Sequence, residues 1–177
     1  EQTNQEVTSL LMEMVYEWYE ELKSLDESIK DKDKKLVQLA RQSEQASRLM
    51  QIEGIGPVTA TALVATFGKT ASGFKNGREM AAFLGLTPKQ FSSGGKVKLG
   101  SISKRGDTYL RTLLVNGATA VINFIHKKSD RKSHWLRQLL TRKHKNKVRI
   151  ALANKMARIA WVILARGERY RPELACA

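Results

Sequence analysis

The sequence predicts a mainly α fold. Its parts are a long N-terminal coiled-coil helix, a glycine hairpin between two short helices, one short β-hairpin and a C-terminal helical bundle. Three observations carry this. A 3.5-residue apolar repeat runs through residues 11–39, and 3.6-residue apolar faces recur after residue 107. Between them, residues 89–103 alone have the pattern of two short strands about a pair of glycines.

The repeat consists of Leu11, Val15, Trp18, Leu22, Leu25, Ile29, Lys32, Leu36 and Leu39, spaced alternately four and three apart. Only Lys32 among them is polar, and Glu17, Glu20, Glu21, Glu27, Lys30 and Lys34 lie outside the seam. This is the pattern of a coiled coil. No Gly or Pro interrupts residues 1–53, so one continuous helix is allowed. We read residues 1–48 as an oligomerisation arm, forming a homodimer or tetramer, and residues 49–177 as the second domain. The alternative is an amphipathic helix folded back on its own domain. Lys32 at a seam position would restrict partners and registers. The chain opens in polar helix-like sequence without Met, which predicts a fragment of something longer.

Charge separates the same two regions. The chain carries a formal charge of +14, with pI near 10.1. Residues 1–50 hold seven Lys/Arg against eleven Asp/Glu, whereas residues 89–171 hold twenty-one against three. A basic body predicts an anionic polymer as partner, and an acidic arm a protein. Cys176 stands alone, so a disulfide framework is excluded and a reducing, cytoplasmic setting is expected. No apolar run approaches the roughly 20 residues of a membrane span, and the start is unlike a signal peptide.

After the arm comes Ile52-Glu53-Gly54-Ile55-Gly56-Pro57-Val58-Thr59, which resembles a helix-hairpin-helix turn. Glycines permit positive φ and close backbone approach. Pro57 suits a first helical position, leaving the amides of Val58 and Thr59 at a positive helix end suited to a DNA phosphate. Gly54, Gly56, Val58 and Thr59 are therefore candidate phosphate contacts, with Glu53 an unfavourable neighbour. A packing role for the hairpin is the alternative.

Residues Phe74 to Leu84 read as a helix with Arg78 outward and Met80, Ala81, Phe83 and Leu84 inward. Gln90–Ser93 and Lys96–Leu99 then flank Gly94-Gly95 as strands. Three helices follow. The first begins near Asp107, with Tyr109, Leu110, Leu113, Leu114, Gly117, Ala118, Val121 and Ile122 on one face. The second covers 130–141 and the third roughly 147–166. Lysines and arginines crowd their connections, which suits phosphate binding with a salt-dependent affinity.

The candidate chemistry sits in Phe91-Ser92-Ser93-Gly94-Gly95-Lys96 and Ile102-Ser103-Lys104-Arg105-Gly106. Two hydroxyls, bare backbone and clustered cations are what chemistry on a phosphodiester needs. Lys96, Lys98, Lys104 and Arg105 are candidates to neutralise phosphate charge, with Tyr109 and Arg111 positioning the strand. His126, His134 and His144 lie outside local reach and read as surface or core-edge residues.

Together with Ala82-Phe83-Leu84-Gly85-Leu86-Thr87-Pro88, these motifs occur in an order and spacing that resemble the C-terminal transposase domain of the IS one-ten and IS eleven-eleven insertion sequences. The resemblance covers residues 49–125 closely and the basic helices more loosely, and the arm resembles the family's coiled-coil linker. It implies a DEDD-type DNA transposase that also uses a serine and is guided by a structured bridge RNA. It selects Ser93 as the nucleophile, with Ser92 as second choice. It also implies a preceding RuvC-like domain that holds Mg2+ through four acids. This chain has no such domain and no metal site of its own, so we expect it to be inactive alone. Two readings from other classes stand beside it. One is a non-catalytic helix-hairpin-helix nucleic-acid-binding module. The other is a base-excision glycosylase, which wants an acid partner that Lys69 and Lys75 lack.

Overall fold

The computed structural model describes residues 2–93 and 95–172, with side chains from residue 8. Gly94 of the expected turn and the lone Cys176 lie outside the described residues. The fold is mainly α, with seven α-helices and a single two-stranded antiparallel sheet among the described residues. Contacts divide the chain into two units, one up to Gln38 and one from Leu39 on. No described helix is long and apolar enough to cross a membrane.

Helix α1 spans Gln2–Gln42. Along it Leu11, Val15, Trp18, Leu22, Leu25 and Ile29 all remain solvent-exposed, with Trp18 at 55% and Leu22 at 63%. The helix does not run unbroken to residue 53, despite the lack of Gly or Pro. Ser43 turns extended (φ −88°, ψ 116°) and its Oγ accepts from Ala46 N at 3.3 Å, capping a new helix α2, Glu44–Leu49. A serine that satisfies the first amides of a helix starts one as readily as glycine ends one.

The second unit is built on α7, Lys145–Arg166, whose apolar faces are covered by α4 (Gly77–Phe83) and α5 (Thr108–Asn123). Helices α2 and α6 (Arg131–Arg142) flank it, and α3 (Pro57–Phe67) packs on α2 and α5. Leu49, Leu63, Met80, Leu84, Leu110, Leu114, Leu136 and Met156 are fully buried in one core. Burying one such side chain is worth about 1.5–3 kcal/mol. Trp161 enters with its indole satisfied: Nε1 donates to the Ala71 carbonyl at 3.0 Å.

Three expectations needed correction. The helix anticipated over 74–84 starts only at Gly77, because Asn76 Oδ1 accepts from Arg78 N and Glu79 N at 3.0 and 3.1 Å and fixes the start. Phe83 is not inward. It meets Phe67 and Phe74 edge-on but stays 52% exposed, its place on the inner face taken by Met80 and Leu84. Tyr109 is likewise outward, 60% exposed, since the buried line of α5 runs Leu110, Leu114, Ala118, Ile122.

Candidate functional site

Strand β1, Pro88–Ser93, pairs antiparallel with β2, Lys96–Ile102, leaving two residues at the turn. Directly opposed residues share a face, and faces alternate along a strand. Ser93 opposes Lys96 and Phe91 opposes Lys98, so these four stand on one side. Ser92 opposes Val97 and Gln90 opposes Leu99 on the other side, where Gln90 Nε2 donates to Ser92 Oγ at 2.8 Å. The register thus separates the two candidate hydroxyls. Ser93 lies with the lysines and an exposed phenyl ring, whereas Ser92 lies with aliphatic side chains and is already hydrogen-bonded. Every described residue of the hairpin up to Ser101 is exposed.

A two-stranded hairpin is marginal alone and depends on its root. Here Ser103 N donates to Thr87 O at 2.8 Å and Lys104 N to Gly85 O at 3.2 Å. Gly85 and Gly106 both take positive φ (70° and 88°), and a Cβ on either would strike backbone, of Arg105 or Phe83 respectively. Lys104 itself adopts φ 55°, a left-handed conformation that costs a non-glycine residue roughly 1–2 kcal/mol. This crossing of two loops turns Lys104 and Arg105 outward, just before Asp107 caps α5 by accepting from Leu110 N at 3.0 Å.

Arg111 is engaged within the fold. Its Nη1 donates to the carbonyls of Leu84 and Arg105 at 3.2 and 3.4 Å, and its Nη2 to Thr108 Oγ1 at 3.0 Å. It braces the root of the hairpin. The predicted cations also fall into two sets. Lys96 and Lys98 flank Ser93 near the tip, but Lys104 and Arg105 follow the root, about 20 Å away at the usual rise per strand residue. Tyr109 stands exposed beside this second set.

The glycine hairpin faces two ways. Gly54 (φ 92°) presses on α5, where a Cβ would lie 2.8 Å from Gly117 O, and Thr59 is buried. Gly56 is open, with nothing within 4 Å of a built Cβ. The first bond of α3 is Ala60 N to Gly56 O at 2.9 Å, so the Val58 and Thr59 amides precede it. Of the four residues expected here, Gly56 is exposed and Val58 half-buried, whereas Thr59 is buried and Gly54 is committed to packing.

Glu53 is not a bare negative charge in that turn. Lys128 Nζ donates to it at 2.6 Å, and Lys132 pairs with its other oxygen. Burial pushes the Glu53 carboxyl up, but the hydrogen bonds and charges of the two lysines outweigh this and leave it below the ordinary value. The same contact raises Lys128. Sequence reading placed all these lysines on a phosphate-binding surface and missed the pairing, because the partners are more than seventy residues apart. The cations Arg131, Arg142, Lys143 and Lys147 are exposed to solvent. The three histidines are exposed, and His144 caps α7 by accepting from Asn146 N at 3.2 Å. Among the described residues no three of His, Cys, Asp and Glu converge as a metal site would require.

Fold and site define a mainly α domain bearing an exposed basic β-hairpin tipped with serine. The chain belongs to the transposase family IS116/IS110/IS902, whose family model matches residues 46–136. Among its relatives, a "Probable family 20 transposase" of Pseudomonas aeruginosa is 47% identical over 160 residues, which cover 90% of this chain and 47% of that protein. The transposase for insertion sequence element IS1111A of Coxiella burnetii is 43% identical over 153 residues, covering 86% and 42%. That for IS1328 of Yersinia enterocolitica is 42% identical over 143 residues, covering 81% and 42%. The chain spans about half the length of these curated relatives.

Proposed function

We propose that this chain is the serine-bearing part of a DNA transposase that moves insertion sequences, with Ser93 as the nucleophile. The observation that carries this reading is the register, which sets Ser93 opposite Lys96 and on one face with Lys98 and Phe91. Ser93 Oγ attacks a DNA phosphorus, an Oγ–P bond forms and one bridging P–O bond breaks. The serine proton ends on the departing sugar oxygen. The phosphoserine link keeps the ester, so a hydroxyl of the second strand can attack it in turn and return the serine. Lys96 and Lys98 stabilise charge on the attacked phosphate, and Phe91 offers a ring on which an adjoining base can stack. Lys104, Arg105, Tyr109 and the exposed Gly56 at the start of α3 hold the backbone further along, which positions DNA without reading its sequence.

A serine hydroxyl needs activation, and no described side chain beside Ser93 is a base. No three described His, Cys, Asp or Glu side chains converge, so we read the Mg2+ that the family resemblance implies as held by other parts of the transposase. The arm reads as the homo-oligomerisation element, and the basic surface of α6 and α7 as a site for DNA and a structured guide RNA.

The test uses a full-length transposase containing this chain, with its RNA and donor and target DNA, on denaturing gels. A covalent protein–DNA species that survives Ser92→Ala and disappears in Ser93→Ala is the expected result. An adduct that persists in Ser93→Ala, or unchanged recombination, would leave this chain a non-catalytic nucleic-acid-binding module.

A further inference from the structure

The six seam side chains from Leu11 to Ile29 are exposed on α1, an apolar stripe of the kind a second helix covers in a coiled coil. We propose that this cover is the arm of a second copy running antiparallel, with Leu11 against Leu36, Val15 against Lys32, Trp18 against Ile29 and Leu22 against Leu25. The proposal rests on the reading of the arm as an oligomerisation element.

Charge decides the direction. Residues 8–27 carry six carboxylates and one lysine, whereas residues 28–38 carry four lysines and two aspartates. A parallel pair in register sets acidic half against acidic half. It also sets Lys32 against its own counterpart within a core layer, and Glu21 against Asp26 across both flanks, since these positions meet in a parallel coil. Each is a like-charge contact. The antiparallel register removes all of them. Each acidic half then lies along the basic half of the other copy. The flanking pairs become Met14 with Lys35, Glu21 with Ser28, Met12 with Asp33 and Tyr19 with Asp26, with no like charges among them. Lys32 meets only Val15, over which its stem can lie while the ammonium reaches water. That ammonium already donates to Ser28 Oγ at 3.0 Å, near the edge of the seam.

The experiment uses this chain with Cys176→Ala throughout. Single Leu11→Cys and Leu36→Cys variants, one bearing a size tag, are oxidised separately and as a mixture. The expected result is a disulfide-linked species only in the mixture, joining the two variants. Links within each variant alone, or no link in a preparation that is dimeric by light scattering, overturn the proposed orientation and register while leaving the arm as an oligomerisation element. A monomer at tens of micromolar, for the chain carrying only Cys176→Ala, overturns both. Because seam cysteines can weaken pairing, a spin label at Lys34→Cys supplies a second readout. Lys34 is solvent-exposed outside the seam. The proposed register separates the two labels by about 32 Å along the axis at 1.5 Å per residue, against about 20 Å across a parallel pair. A distance near 20 Å overturns the proposal.

Discussion

Arg111 reaches back 27 residues to donate to the carbonyl of Leu84, and with Arg105 O and Thr108 Oγ1 it ties the two loops at the hairpin root together. Lysine cannot reproduce a planar fork spread over three acceptors. Arg111→Lys should therefore lower stability by about 1–2 kcal/mol and reduce recombination at least tenfold. DNA affinity at fixed salt should change less than about twofold. Thermal melts and filter binding check this; a large loss of affinity with normal stability would return Arg111 to the DNA-contacting set.

The cations at the root should behave in the opposite way. Lys104→Gln and Arg105→Gln should each weaken binding to any DNA sequence alike. If each touches one phosphate, the slope of log affinity against log salt should fall by about 0.9 for duplex DNA. A salt titration of each variant reads this directly. An unchanged slope would mean that the residue does not meet the backbone.

Glu53, held by Lys128 and Lys132, gives a prediction in pH. Its carboxyl lies below the ordinary 4.5 in the folded chain. Its contribution is therefore fully present above that value and is lost as pH falls through the lowered one. Glu53→Gln should destabilise the chain by about 1–2 kcal/mol near neutral pH, chiefly by stranding the largely buried Lys132. The gap between variant and wild-type melting temperatures should narrow below pH 4.5 and close once pH has fallen through the lowered value. A gap that persists there would assign Glu53 a role in packing rather than pairing.

Gly54 and Gly117 meet backbone to backbone, where a Cβ on Gly117 would run into the Gly54 carbonyl. Gly117→Ala should cost about 1–3 kcal/mol, the usual penalty for overpacking. It should also shift the glycine hairpin off α5. Urea denaturation gives the first number, and protection of the Ile55 amide from exchange reports the second.

Much of this molecule is legible in the chain, because its signals are local. The 3.6-residue faces gave α5 and α7, Asp107 marks the start of α5, and the paired glycines fix a two-residue turn and so the hairpin register. That register sets Ser93 opposite Lys96 and Ser92 opposite Val97, a separation already written within a dozen residues.

What the sequence could not determine depends on neighbours far along the chain. Arg111 looks like any cation at the start of a helix until Leu84 O and Arg105 O are brought beside it. Glu53 looks hostile to phosphate until α6 delivers Lys132. Phe83 and Tyr109 fit apolar faces by spacing, yet Met80 and Leu110 occupy the inner positions and leave both rings outside. Periodicity and capping are properties of a few consecutive residues, and so can be read by eye. Which cation is spent on the fold and which faces solvent is settled only when distant segments pack, since the partner that neutralises a charge is chosen by the tertiary structure.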